Sequence, residues 1–130
     1  MKESFFRLTS RSTEKIIFEK NDDYKSPKDG ISVKFNFHSK IINQKENTAE
    51  VSFTFTLFSK EDLENSPFFL SITEKGIFEW NEETEEDTVK KLLDINAPSI
   101  LLSYMRSMIS QITAFSGYPA LIIPLINFNE

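Results

Sequence analysis

The chain has 130 residues, a net charge of −5, one histidine and no cysteine. One ordinary domain's length, an acidic balance and the lack of thiols exclude disulfide frameworks, cysteine metal sites and a basic nucleic-acid-binding face. Hydrophobic residues make up 39% of the chain and include 13 Phe, more rings than a domain this small is expected to bury completely.

Residues 1–10 lack the continuous apolar core of a secretory signal. Residues 6–10 and 14–19 read as two halves of one irregular strand. Residues 21–30, with Asp22, Asp23, Pro27 and Asp29-Gly30, form a polar connection. Ile31, Val33, Phe35, Phe37, Ser39 and Ile41 then alternate with Ser32, Lys34, Asn36, His38 and Lys40, the period of a half-buried strand. Ala49, Val51, Phe53, Phe55 and Leu57 repeat that alternation, and the polar loop 43–47 makes the two runs an antiparallel hairpin. A third such strand, 68–73, follows the loop 59–66 and is expected to end near Gly76. Strands with one apolar and one polar face suit an antiparallel sheet covered on one side.

The second half reads as helical. Residues 82–93 begin with acids and end with Lys90 and Lys91, the arrangement that the helix dipole favours. Pro98 and Gly117 bracket a second helix over about 98–116. An apolar tail, 118–128, follows and is interrupted by Pro119 and Pro124. The expectation is one α+β domain spanning 1–130.

The stretch 97–128 is apolar and nearly uncharged, and three prolines, a glycine and several serines exclude it as a membrane span. A cytoplasmic protein is the default. On a helical wheel Leu101, Leu102, Tyr104, Met105, Met108, Ile109, Ile112 and Phe115 share one broad arc. The opposite side carries Ser99, Ser103, Arg106, Ser107, Ser110, Thr113 and Ala114. Small hydroxyl and methyl groups let a second backbone approach closely, so this face is expected to meet the same helix of another subunit. The Met and Tyr side chains suit adaptable contact with varied polypeptides.

Catalysis finds little support. His38 lies on the polar side of its strand between Lys34 and Lys40, and a single histidine supplies no metal or nucleophile–base set. The acids between Glu79 and Asp87 lack the calcium-loop pattern and read as a solvated first turn. Three glycines leave no phosphate-cradling loop. The residues therefore suggest a protein that is not an enzyme and needs neither cofactor nor metal.

Several motifs point further. The run Ala97-Pro-Ser-Ile-Leu-Leu-Ser-Tyr-Met-Arg106, the turn Gly117-Tyr-Pro119 and the close Pro124-Leu-Ile-Asn-Phe128 stand in order. Upstream lie Ile16-Ile-Phe-Glu19 and Phe68-Phe-Leu with Gly76-Ile-Phe78. Together they resemble the SecB-type export chaperones over about residues 6–128. The resemblance implies a four-stranded antiparallel sheet with helices on one face, assembled as a dimer or dimer of dimers through the long helix.

It also implies an ATP-independent holdase for unfolded, secretion-bound polypeptides. The implied groove would be walled by Tyr24, Phe69, Ile77, Phe78, Leu101, Tyr104, Met105 and Met108, with Ser99, Ser103, Arg106, Ser107 and Ser110 at the subunit interface. Lys15 and Ser71 replace acids that the family uses to contact the SecA motor, whereas Glu19 is kept. The sequence also ends where the family continues toward its motor-binding tail, so engagement of SecA is not expected. An alternative is a dedicated module on the same fold that binds one protein partner, such as an antitoxin, with no export role.

Overall fold

The alternating runs form one sheet. The computed structural model describes residues 5–28 and 30–128. Strands β1 (Phe6–Lys20), β2 (Phe35–Lys45), β3 (Thr48–Leu57) and β4 (Phe68–Trp80) pair antiparallel in the order β1-β4-β3-β2. In β3, Ala49, Val51, Phe53, Phe55 and Leu57 are all buried and alternate with half-exposed polar residues, as a one-sided sheet demands. The two halves of β1 are one strand, irregular at register shifts between Leu8 and Ser10 and between Thr13 and Lys15.

Three boundaries differ from the sequence expectation. Strand β2 begins at Phe35, not Ile31, and runs on to Lys45. Its link to β3 tightens to Glu46-Asn47, with Glu46 at φ 30°. Asn47 fixes this turn by exchanging bonds with Trp80: its side-chain amide donates to the Trp80 carbonyl at 3.1 Å, and its carbonyl accepts from Trp80 N–H. Strand β4 does not end near Gly76 but continues to Trp80.

The reason for the glycine lies above the sheet. A Cβ on Gly76 would meet Leu101 Cδ2 at 2.9 Å, Leu8 Cδ1 at 2.8 Å and Phe78 Cε2 at 3.0 Å. Gly76 is therefore a point of close approach inside a strand.

The helical half is continuous. Helix α1 (Glu86–Lys91) passes through a π turn, Leu92–Asn96, into α2 (Ala97–Phe115). Pro98 has no N–H for the carbonyl of Asp94 and its ring crowds that group. The widened turn immediately before it absorbs both defects. At the far end Gly117 is left-handed (φ 91°), Tyr118 N–H bonds to Thr113 O and Gly117 N–H to Ala114 O, a Schellman close.

Helix α2 lies across β3 and β4. Val89, Leu93, Ala97, Leu101, Leu102, Met105 and Ile109 join Val51, Phe53, Phe55, Ile72 and Phe78 in one core. Thr113 is buried at the end of the same seam and Tyr104 and Phe115 face out, a shift from the wheel's arc. No helix among the described residues is long and apolar enough to cross a membrane.

The packing at Gly76 yields a stability test. Gly76→Val should lower unfolding free energy by about 1–3 kcal/mol, the usual cost of overpacking a filled site. Urea denaturation read by Trp80 fluorescence would show a lower midpoint at unchanged slope.

Candidate functional site

A single helix over the two central strands leaves the flanks of the sheet open. On the β2 flank the inner-face side chains Phe35 (47% exposed), Phe37 (42%) and Ile41 (38%) stand outside the cover of α2, and Ile31 and Val33 extend the row along the preceding chain. Phe35 stacks on buried Phe55 at 5.6 Å and Phe37 packs on buried Phe53 at 6.0 Å. The strip is therefore one flank of the core, left wet. Strand β2 is also a sheet edge, with main-chain groups that no neighbouring strand pairs.

At the top of this strip the chain makes a concave end. Phe58, the residue after β3, adopts a left-handed conformation (φ 62°) that costs a bulky side chain strain. Its N–H bonds to Lys34 O at 2.8 Å, and its ring meets Phe68 edge-on at 5.1 Å. Ile31, Val33, Phe58, Phe68, Tyr118 and Leu121 then line an apolar groove of about 310 Å³. Tyr118 closes its floor by donating its hydroxyl to Pro67 O at 2.7 Å. Burial, aided by the charge of Asp22, raises the Tyr118 pKa above its ordinary value, so the donating proton stays in place.

The second side of the strip is the tail. Residues 118–128 turn back along α2, and the polar flank of the helix holds their backbone. Ser110 Oγ donates to Leu121 O at 2.7 Å, and Thr113 Oγ1 accepts from Leu121 N–H at 2.9 Å. Arg106 donates from Nε to Ile123 O at 3.1 Å and from Nη2 to Pro124 O at 3.4 Å. Ile123 is buried, and Phe128 sets its ring edge-on against Phe37 and Phe53 at 4.7 and 5.8 Å.

One charge lies inside the sheet–helix layer. Glu74 is fully buried on the inner face, where it accepts from Arg11 Nη1 at 2.9 Å and from Thr13 Oγ1 at 2.7 Å. The Arg11 guanidinium in turn lies over the Tyr104 ring at 4.3 Å. A buried carboxylate requires such partners, and this one ties the bulged part of β1 to α2. Among the described residues no group of three or more acids or histidines is placed to hold a metal.

The structure does not gather the eight expected groove residues. Phe78, Leu101 and Met105 have no exposed surface and act as core, a correction to their reading as groove walls. Phe69 and Ile77 belong by strand parity to the opposite sheet face, buried and exposed respectively, while Tyr24 is half-buried in the connection before β2. Tyr104 and half-buried Met108 remain reachable on the helix.

The expected interface also divides. Ser99, Ser103 and Ser107 are exposed, whereas Arg106 and Ser110, also expected at the subunit interface, bond to the chain's own tail. The strip 31–41 was visible as an alternating run, but spacing alone could not show that the helix stops short of it.

Comparison with known proteins identifies relatives of the chain. The family model described as "SecB: Preprotein translocase subunit SecB" matches residues 11–130. The protein-export protein SecB of Anaplasma phagocytophilum is 41% identical over 64 residues, covering 48% of this chain and 40% of that protein. SecB of Neisseria gonorrhoeae is 35% identical over 79 residues, covering 61% and 53%. An uncharacterized protein of Methanocaldococcus jannaschii is 42% identical over 72 residues, covering 55% and 46%. The matched region thus spans about half the length, or less, of these relatives. Among solved structures, a Mycobacterium tuberculosis SecB-like chaperone in complex with a ChAD peptide from the HigA1 antitoxin superposes with a TM-score of 0.70 at 10% identity, covering 94% of this chain and 88% of that one.

The Glu74 cluster gives a measurable pair. Arg11→Ala should destabilise the fold by about 3 kcal/mol, because it leaves a buried charge under-compensated, while Arg11→Met with Glu74→Leu should recover most of that loss. Thermal melts of the two variants and of each single change provide the comparison.

Proposed function

We propose that this chain, which belongs to the SecB family, binds non-native polypeptides on the uncovered apolar strip of β2 and acts as an ATP-independent holdase chaperone. The strip itself carries the reading. Phe35, Phe37 and Ile41 form a row about 40% exposed on a sheet edge, a large cost to keep in water unless an apolar partner covers it. Rings and aliphatic groups bind extended apolar segments with little demand on sequence, and the groove at Phe58 and Tyr118 lengthens the surface for several weak contacts along one client. Tyr104, which carries the Arg11 guanidinium of β1, stays accessible on the other flank of α2 and lies apart from this strip.

A specific observation favours a second, narrower version. The SecB-like chaperone that shares this fold was solved with a peptide from an antitoxin, which supports a dedicated protein client over general export. Self-assembly belongs to the same proposal. Ser99, Ser103 and Ser107 expose a hydroxyl stripe with Phe115, 84% exposed, near its end, a face suited to the same helix of a second subunit in a dimer or dimer of dimers.

Val33→Glu with Phe35→Glu should weaken binding of an unstructured apolar peptide at least tenfold by fluorescence anisotropy and abolish suppression of client aggregation. Unchanged affinity in a variant with native circular dichroism would overturn the strip as the site. Pull-down from the native host separates one stoichiometric partner from a broad set of precursors. Ser103→Glu with Ser107→Glu should split the oligomer by burying like charges across a symmetric contact; an unchanged mass in light scattering would refute that interface.

A further inference from the structure

The polar flank of α2 is built to hold an extended main chain. Ser110, Thr113 and Arg106 all bond to backbone groups of the tail, at Leu121, Ile123 and Pro124, and none reads a side chain. Such contacts are indifferent to the sequence they hold. The tail joins no strand of the sheet, and its two prolines lack the N–H that a ladder needs. Its apolar anchors are Ile123, buried in the core's flank, Leu121 and Ile126, half-buried against it, and Phe128, which caps Phe37 and Phe53. Ile122 and Leu125 point outward, 78% and 88% exposed. Extended, apolar, and tied by main-chain contacts, the segment has the chemistry expected of a bound client.

We infer that residues 121–128 are an intramolecular strap that occupies the client groove between α2 and β2 and must lift before an extended apolar polypeptide can take its place. The inference rests on the proposed binding role of the β2 strip. Lifting the strap breaks no strand or helix ladder. It frees Arg106 and Ser110 to bond to the client's carbonyls and uncovers Phe37 and Phe53. A competitor in the same groove lowers apparent affinity by the fraction of molecules in which the groove is free.

Three forms of the full chain test this, with reduced and carboxymethylated α-lactalbumin as the unfolded probe. Ile123→Ser with Phe128→Ala loosens the strap and should tighten binding about tenfold. Because the chain has no cysteine of its own, Ser110→Cys with Leu121→Cys can be joined uniquely by a short bis-maleimide. That closure should weaken binding at least tenfold relative to the same variant left unlinked. If the loosened form binds no more tightly and the linked form no more weakly, while Val33→Glu with Phe35→Glu still abolishes binding, the strap is refuted and the strip survives. If the strip variant binds like the parent chain, the strip fails and the strap falls with it. The linked pair is read even where the loosened variant unfolds, and a linked form that binds like its unlinked counterpart overturns the proposal by itself.

Discussion

The separation of α2 from the sheet is set at Gly76, where the methyl ends of Leu101 and Leu8 occupy the space that a side chain would fill. Much of the architecture depends on that contact. It seats one helix over β3 and β4, so the strands completely buried on their inner face are the two central ones. The outer strands then need other means of covering or of tolerating exposure. On the β1 flank the answer is electrostatic: Glu74 holds Arg11, and Arg11 lies on Tyr104. On the β2 flank the answer is apolar and incomplete, with a tail and its Phe128 ring over part of a row of Phe and Ile. The asymmetry of the molecule is one of packing, two flanks of one sheet finished by different chemistry.

The polar flank of α2 shows why residue composition underdetermines role. Serines and an arginine on a helix otherwise poor in charge signal that something approaches closely, and the chain's own tail takes up part of that flank. Arg106, Ser110 and Thr113 receive the backbone of the chain's own tail, whereas Ser99, Ser103 and Ser107 keep an open surface. A carbonyl in an extended segment with no strand beside it still needs a donor, and hydroxyl and guanidinium groups can reach out to supply one. That requirement ties the tail's prolines to the helix's serines: the residues that forbid a ladder create the demand that the helix meets.

What was legible from sequence was local. Alternation found β3 and the hairpin, because a period of two is written into neighbouring residues. Gly117 marked the close of α2, since a left-handed C-terminal residue is a property of the turn itself. The misplaced features depend on distant partners. Gly76 looked like a stop because a glycine under a crossing helix and a glycine ending a strand look alike in one dimension. The exposure of Phe35 and Phe37 depends on where α2 stops laterally, and Phe78, Leu101 and Met105 are core because they face each other across that same layer. Thr113 reads as polar on a wheel yet is buried, since its hydroxyl bonds to Ile109 O at 2.8 Å and takes the Leu121 N–H.

Seven buried positions of the helical half recur at one interval, with Pro98 and Leu102 buried beside them. Val89, Leu93, Ala97, Leu101, Met105, Ile109 and Thr113 are each four residues apart and all buried. An α-helix turns every 3.6 residues, so a four-residue interval drifts about 40° per step around a regular rod. The π turn at Leu92–Asn96 takes up part of that drift near the start, and the rest accumulates along α2. The line of contact with the core therefore spirals around α2, and its flanks rotate with it. The helix behaves like the thread of a screw: its pitch turns the hydroxyls of Ser110 and Thr113 toward the returning tail, at the end where the chain leaves the helix to meet them.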